Sequence, residues 1–221
     1  IVPTQISDFC GGLYRRYFRR KCRCFLLLLI HILLGFRRLE GLKYYRHDPL
    51  VARIVGMKRV PHTNTLRNWI RRTDGKAIAN LRELNTDLVC ERLATEKPSH
   101  ITLDFDGTVQ STKGRVEGTA IGYNRVKKGA RSYYPLFCIV AQTAQFFDLH
   151  HRPGNVHDSN GATDFMLSCV TRAKRACPQS RLEARMDGAF FSESRLETLD
   201  KADVIFTCST PIGRLPALKA Q

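Results

Sequence analysis

Acidic residues are scarce in this 221-residue chain: 20 Asp and Glu stand against 36 Lys and Arg, a formal net charge of +16. Such an imbalance points to a polyanionic partner, either nucleic acid or an anionic membrane surface. Long apolar runs are missing as well. The longest, Phe25 to Leu34, has ten residues, about half of the ~20 needed to cross hydrocarbon. It contains His31, ends at Gly35 and leads into no small-residue cleavage pattern, so it reads as a buried helix rather than a signal peptide or a membrane span. Gly and Pro, at 15 and 9, are too few for a fibrous or low-complexity chain. The eight cysteines form no CxxC pair, which speaks against a zinc ribbon or a disulfide scaffold and for reduced, buried thiols in an intracellular protein. Forty-three per cent hydrophobic residues exclude wholesale disorder and suffice for one or two packed domains.

What is present is unevenly placed. Up to Lys97 there are 20 basic and 8 acidic residues; from Pro98 onward the balance is 16 to 12. The first part is therefore the better grip for phosphates, and the second is free to hold carboxylates. Residues 13–46 read as helices with dense basic faces, and Asp48-Pro49 opens a short helix closed by Gly56. After Pro61, Thr63 or Asn64 caps another helix, in which Leu66, Trp69 and Ile70 make an apolar face and leave Arg67, Arg71 and Arg72 outward. This pair of helices resembles a helix-turn-helix. A further helix spans Ala77 to Ala94. The pattern predicts a helical, DNA-binding region over residues 1–97.

The periodicity changes at His100. Strands are predicted over Ile101–Val109, Tyr133–Gln142, Gln145–His150, Arg181–Met186 and Asp203–Cys208, with helices over Ala162–Ala176 and Ser192–Lys201. The order βββαβαβ, with the first three strands antiparallel and the later two joining parallel through helices, is that of a mixed α/β sheet of the RNase H-like kind. Asp104 and Asp106 lie two apart and share a strand face, and Asp187 ends the next parallel strand. Clustered carboxylates repel unless cations bridge them, and hard oxygen donors suit Mg²⁺ or Mn²⁺. Between the first two strands, Arg125, Lys127, Lys128 and Arg131 interleave with Tyr123, Tyr133 and Tyr134, a pattern suited to phosphate contact and base stacking.

Taken in order, Leu103-Asp-Phe-Asp-Gly-Thr108, Tyr134-Pro-Leu136, Arg152-Pro-Gly-Asn155 and Arg185-Met-Asp-Gly-Ala-Phe190 resemble the motifs of DDE transposases of bacterial insertion sequences. The resemblance covers most of the chain. It implies an RNase H-like catalytic domain over 98–221, with Asp106 as the first catalytic and metal-binding carboxylate, Asp187 as the second, and Asp104 as an alternative first. It implies metal-dependent cleavage at transposon ends and strand transfer into target DNA, with Mg²⁺ or Mn²⁺ as cofactor. Its partners would be double-stranded DNA (terminal inverted repeats and target) and a second copy of the chain in the transpososome. The setting would be the bacterial cytoplasm, at the nucleoid, with no membrane. Arg67, Arg71, Arg72, Lys127, Lys128, Arg131 and Arg152 are the candidate DNA contacts. The family's third carboxylate, a Glu on a later helix, has no counterpart after Glu197. It is expected beyond Gln221, leaving this chain inactive as it stands.

The segment Leu103 to Val109 also resembles the first motif of haloacid dehalogenase-like phosphatases. That alternative would make Asp104 a nucleophile, Asp106 its acid/base and Thr207 or Ser209 a phosphate binder. A third reading is a basic nucleic-acid-binding module without catalysis.

Overall fold

A computed structural model describes residues 15–210, apart from 123, 125, 126, 158 and 159. Tyr123 and Arg125 of the basic loop therefore lie outside the described residues. The chain forms two compact units that part between Leu84 and Asn85.

The first unit is helical: α1 (Arg15–Leu33), a 3-10 helix (Leu39–Tyr44), α2 (Pro49–Ile54), α3 (Thr63–Arg71) and the start of α4 (Gly75–Glu96). Asp48 caps α2 by accepting from the Leu50 N–H at 2.7 Å, with Pro49 in the first turn, where its missing donor costs nothing. His62 rather than Thr63 or Asn64 caps α3, its Nδ1 accepting from the Asn64 N–H at 3.2 Å. Cys24, Leu27, Leu42, Tyr45, Val51, Val55, Val60 and Leu66 make this unit's core, with Trp69 packed against it. The apolar run expected to be a buried helix is buried only in part: Leu27 and His31 face the core, whereas Leu29, Ile32, Leu33 and Leu34 are exposed. Among the described residues no helix is long and apolar enough to cross a membrane.

The second unit carries β1 (His100–Gly107), β2 (Gln110–Ser111), β3 (Ala120–Ile121), β4 (Arg131–Tyr133), β5 (Leu136–Val140), β6 (Gln145–His150), α5 (Ala162–Ala176), β7 (Arg181–Met186), α6 (Glu193–Lys201) and β8 (Ile205–Cys208). The main sheet runs β6-β5-β1-β7-β8. β5 is antiparallel to β1 and to β6, whereas β7 is parallel to β1 and β8 to β7. This is the mixed sheet of an RNase H-like fold. Alternation divides its residues cleanly: Ile101, Leu103, Phe105, Leu182, Ala184 and Met186 are buried in one core with Val89 and Leu93 of α4 and with α5. The helix at 162–176 buries Phe165, Met166, Cys169, Val170 and Ala173, the face that its spacing predicts.

One part differs from the sequence reading. The expected strand over 133–142 is broken at Tyr134-Pro135: β4 joins a separate small sheet, β2-β4-β3, and only β5 belongs to the main one. Pro135 has no N–H to give a ladder. Its carbonyl instead accepts from the Thr108 N–H at 3.2 Å, and the Tyr134 N–H turns away to the Arg152 carbonyl at 2.8 Å.

Candidate active site

The register of β1 against β7 builds the site. The last paired residues are Phe105 and Met186, both buried beneath the sheet. One step further along these parallel strands come Asp106 and Asp187, which therefore emerge on the opposite, open face, on neighbouring strands about 4.8 Å apart. Asp187 is still extended, at φ −83° and ψ 174°, as it leaves β7. Both side chains are exposed.

Local hydrogen bonds fix each carboxylate. Asp106 Oδ1 accepts from the Gly107 N–H at 2.7 Å, and Asp187 Oδ1 accepts from the Ala189 N–H at 3.0 Å, capping a 3-10 turn over Gly188–Phe190. That turn is anchored from below, because Phe190 is buried and the Arg195 guanidinium donates to its carbonyl. The Cys208 thiol on β8 donates to the Asp187 carbonyl at 3.4 Å. Tyr134 closes the other side. Its ring lies so near Gly107 that a Cβ there would meet the hydroxyl oxygen at 2.7 Å.

Asp104 shares the face but is differently employed. Arg185 grips it from β7, Nε to Oδ1 at 2.6 Å and Nη2 to Oδ2 at 2.7 Å. Behind this pair, Glu183 accepts from the Thr102 and Thr207 hydroxyls at 2.9 and 2.7 Å and lies 3.2 Å from His100 Nε2. The hydroxyl bonds, Thr207 first, hold its carboxyl below the usual range. The same-face stripe on β7 thus alternates Glu183, Arg185, Asp187, opposite His100, Thr102, Asp104 and Asp106 on β1.

Among the described residues, no group of three or more His, Cys, Asp or Glu side chains is placed to hold a metal ion. The site offers two exposed carboxylates, Asp106 and Asp187. As hard oxygen donors at one sheet edge they suit Mg²⁺ or Mn²⁺ better than softer metals.

The candidate DNA contacts are differently placed. Arg71, Arg72, Lys127 and Lys128 are exposed. Arg67 is paired with Glu40 at 2.8 Å. Arg131 is half-buried and donates to the Thr119 hydroxyl at 3.0 Å and to the Thr119 carbonyl. Arg152 is a correction: it is 3% exposed, and its guanidinium donates to the carbonyls of Tyr134, His157 and Asn160. It ties the loop after β6 to the strand break at Pro135 and has no open face for a phosphate.

Sequence reasoning missed the Arg185–Asp104 pair and the buried Arg195. The first had a readable signal, because Arg185 and Asp104 each stand two residues before an aspartate that ends a strand. The second had none, since nothing local tells a buried arginine from an exposed one.

The phosphatase reading fails here. Of its two candidate phosphate binders, Thr207 or Ser209, Thr207 donates to Glu183; its proposed nucleophile Asp104 is gripped by Arg185; and the next main-sheet strands after β1 are an antiparallel hairpin.

The family model for the transposase DDE domain group 1 matches residues 16–210. No curated protein matches the sequence. Among solved structures, the chain is similar to the Mos1 transposase paired-end complex with left transposon end, at 10% identity and a TM-score of 0.36, covering 83% of this chain and 57% of that one. It is also similar to the piggyBac transposase synaptic complex with hairpin DNA, at 17% identity and a TM-score of 0.42, covering 94% of this chain and 46% of that one. The chain therefore spans about half the length of these structures.

Proposed function

The chain belongs to the transposase DDE domain group 1 family, and from that premise we propose that Asp106 and Asp187 are its first two catalytic carboxylates, acting in metal-dependent cleavage of DNA at transposon ends and strand transfer into target DNA. The observation that carries this reading is the parallel register Phe105–Met186, which brings the next residue of each strand to one edge of the sheet.

A divalent cation bound there, Mg²⁺ or Mn²⁺, would supply charge for the scissile phosphate and lower the pKa of an attacking water or 3′-hydroxyl. The protein's part is to hold the two carboxylates in place. The Gly107 and Ala189 N–H groups orient one oxygen of each, the buried Phe190 and Arg195 prevent the Asp187 turn from drifting, and Arg185 engages Asp104 so that it does not serve as a ligand. The helical region over residues 1–97, with Arg71 and Arg72 outward, supplies phosphate contacts on the duplex, and Lys127 and Lys128 add contacts from the catalytic unit. A second copy of the chain completes the assembly at paired transposon ends.

The test is cleavage of a labelled terminal-repeat duplex by the full-length gene product in Mg²⁺ or Mn²⁺, with EDTA as control. Asp106→Asn and Asp187→Asn should each abolish cutting while leaving duplex binding intact. Cutting by either variant at the wild-type rate would overturn the assignment.

A further inference from the structure

The first helical unit ends a ladder of rings in solvent. His31, 3% exposed, stacks on Phe36 with centroids 5.2 Å apart and 23° between planes, and Phe36 stacks on Tyr44 at 5.8 Å and 11°. The inner end is locked. His31 Nε2 lies 2.9 Å from the Arg38 carbonyl, which can only accept, so Nε2 donates there, while Nδ1 is hydrogen-bonded with the Tyr45 hydroxyl at 2.6 Å. Burial pushes the Tyr45 phenol up to about 12. The outer end is open, because Tyr44 is 73% exposed. Gly41 makes the stack possible: a Cβ there would meet Phe36 Cδ1 at 2.5 Å.

An exposed aromatic backed by two stacked rings has already lost most of its rotational freedom, so a flat ligand landing on it forfeits little further entropy. The surroundings are cationic. Phe36, Arg37, Arg38, Glu40, Lys43 and Tyr44 line an open hollow of about 370 Å³, with Lys43 Nζ 4.9 Å from the Tyr44 ring centroid. The one acid among these six, Glu40, is neutralised by Arg67 at 2.8 Å. Exposed aromatic surface beside basic side chains, with Lys43 lying over the ring itself, is the chemistry that takes a nucleobase by stacking and its flanking phosphates by charge.

We infer that Tyr44 is a stacking platform for an unpaired base of single-stranded or frayed DNA, with Arg37, Arg38 and Lys43 taking the adjoining phosphates. This surface is separate from the carboxylate site and does not rest on the reading of Asp106 and Asp187. It gives the first unit a preference for opened strands over blunt duplex that basic charge alone does not provide.

The experiment is fluorescence anisotropy in EDTA with the full chain and three labelled probes: an oligo(dT) of about 12 nucleotides, a strand of equal length with abasic sites throughout, and a blunt duplex. Wild type should bind oligo(dT) about tenfold more tightly than the abasic strand. Tyr44→Ala should lose that preference while keeping its affinity for the abasic strand and the duplex; Tyr44→Phe and Tyr44→Trp should retain it. A wild-type protein that binds both single strands equally, or a Tyr44→Ala variant that still prefers oligo(dT) about tenfold, overturns the inference. Circular dichroism of each variant separates a lost platform from a lost fold.

Discussion

Arg185 holds both carboxylate oxygens of Asp104 across the β1–β7 pairing, at 2.6 and 2.7 Å. Each partner stands two residues before an aspartate that ends its strand, so the pair sits directly behind Asp106 and Asp187 on the same face. Two effects follow. The strands are pinned in the register that brings the end residues together, and the third aspartate of the face is occupied by a fixed cation. The pair is half open to water, so its value for stability is small; its value lies in geometry.

Removing the carboxylates should therefore have unequal consequences. Asp106→Asn and Asp187→Asn should each lower cleavage by more than about a hundredfold, above the usual cost of losing a group outside the ligand set. Asp104→Asn should lower it by about tenfold or less, and the double swap Asp104→Arg with Arg185→Asp should restore much of the loss from either single swap. Cleavage rates on a terminal-repeat duplex decide this; a Asp104→Asn enzyme as dead as Asp106→Asn would reverse the roles of the two aspartates.

Glu183 predicts a pH signature. Its hydrogen bonds, chiefly from Thr207, depress its folded pKa. A depressed carboxyl contributes stability above its unfolded pKa, and that contribution fades as pH falls through the folded value. Thr207→Val should melt below wild type at about pH 7, and the gap should narrow as pH falls below the ordinary carboxylate range. Thermal melts across that range measure it, and a gap that stays constant would show that Thr207 acts through packing instead.

The basic residues separate by exposure. Arg71→Ala and Arg72→Ala should weaken duplex binding and each reduce the slope of log affinity against log salt by about 1. Arg152→Ala should leave that slope unchanged and cost about 2 kcal/mol or more of stability, because three carbonyls lose a charged donor. A salt slope that falls in Arg152→Ala would place its guanidinium on DNA after all.

Gly154, inside the Arg152-Pro-Gly-Asn155 motif, is expected to tolerate no side chain. A Cβ there would lie 2.6 Å from the Ser132 carbonyl and 2.9 Å from that of Ala120, both backbone atoms of the small sheet. Gly154→Ala should destabilise the protein by about 1–3 kcal/mol, with hydrogen exchange quickening first in β3 and β4. Unchanged melting and exchange would refute the close approach.

Much of the catalytic unit was legible in one dimension, because its elements are long enough to carry a period. Ile101, Leu103 and Phe105 alternate with Thr102, Asp104 and Asp106, and α5 repeats its apolar residues at helical spacing, so face and element could be read together. β2, β3 and β4 have two or three residues each, too few for any period, and Pro135, the one residue that marks the break, is flanked on both sides by strand formers. The fates of Arg131, Arg152 and Arg195 were equally hidden, since an arginine is buried only where carbonyls from separate segments happen to converge on it.

From composition and order alone came the basic front, the aspartates two apart at the end of the first long strand, and the aspartate closing a later one, because charge and alternation are local properties of the chain. Only the tertiary fold decided that Asp106 and Asp187 each stand one step beyond the last register pair of neighbouring strands, that Asp104 is already engaged by Arg185, and that the ring of Tyr44 is stacked on Phe36 and exposed to water. Those facts depend on which distant residues a strand or turn meets, and that is set by packing across the whole unit rather than by any stretch of sequence.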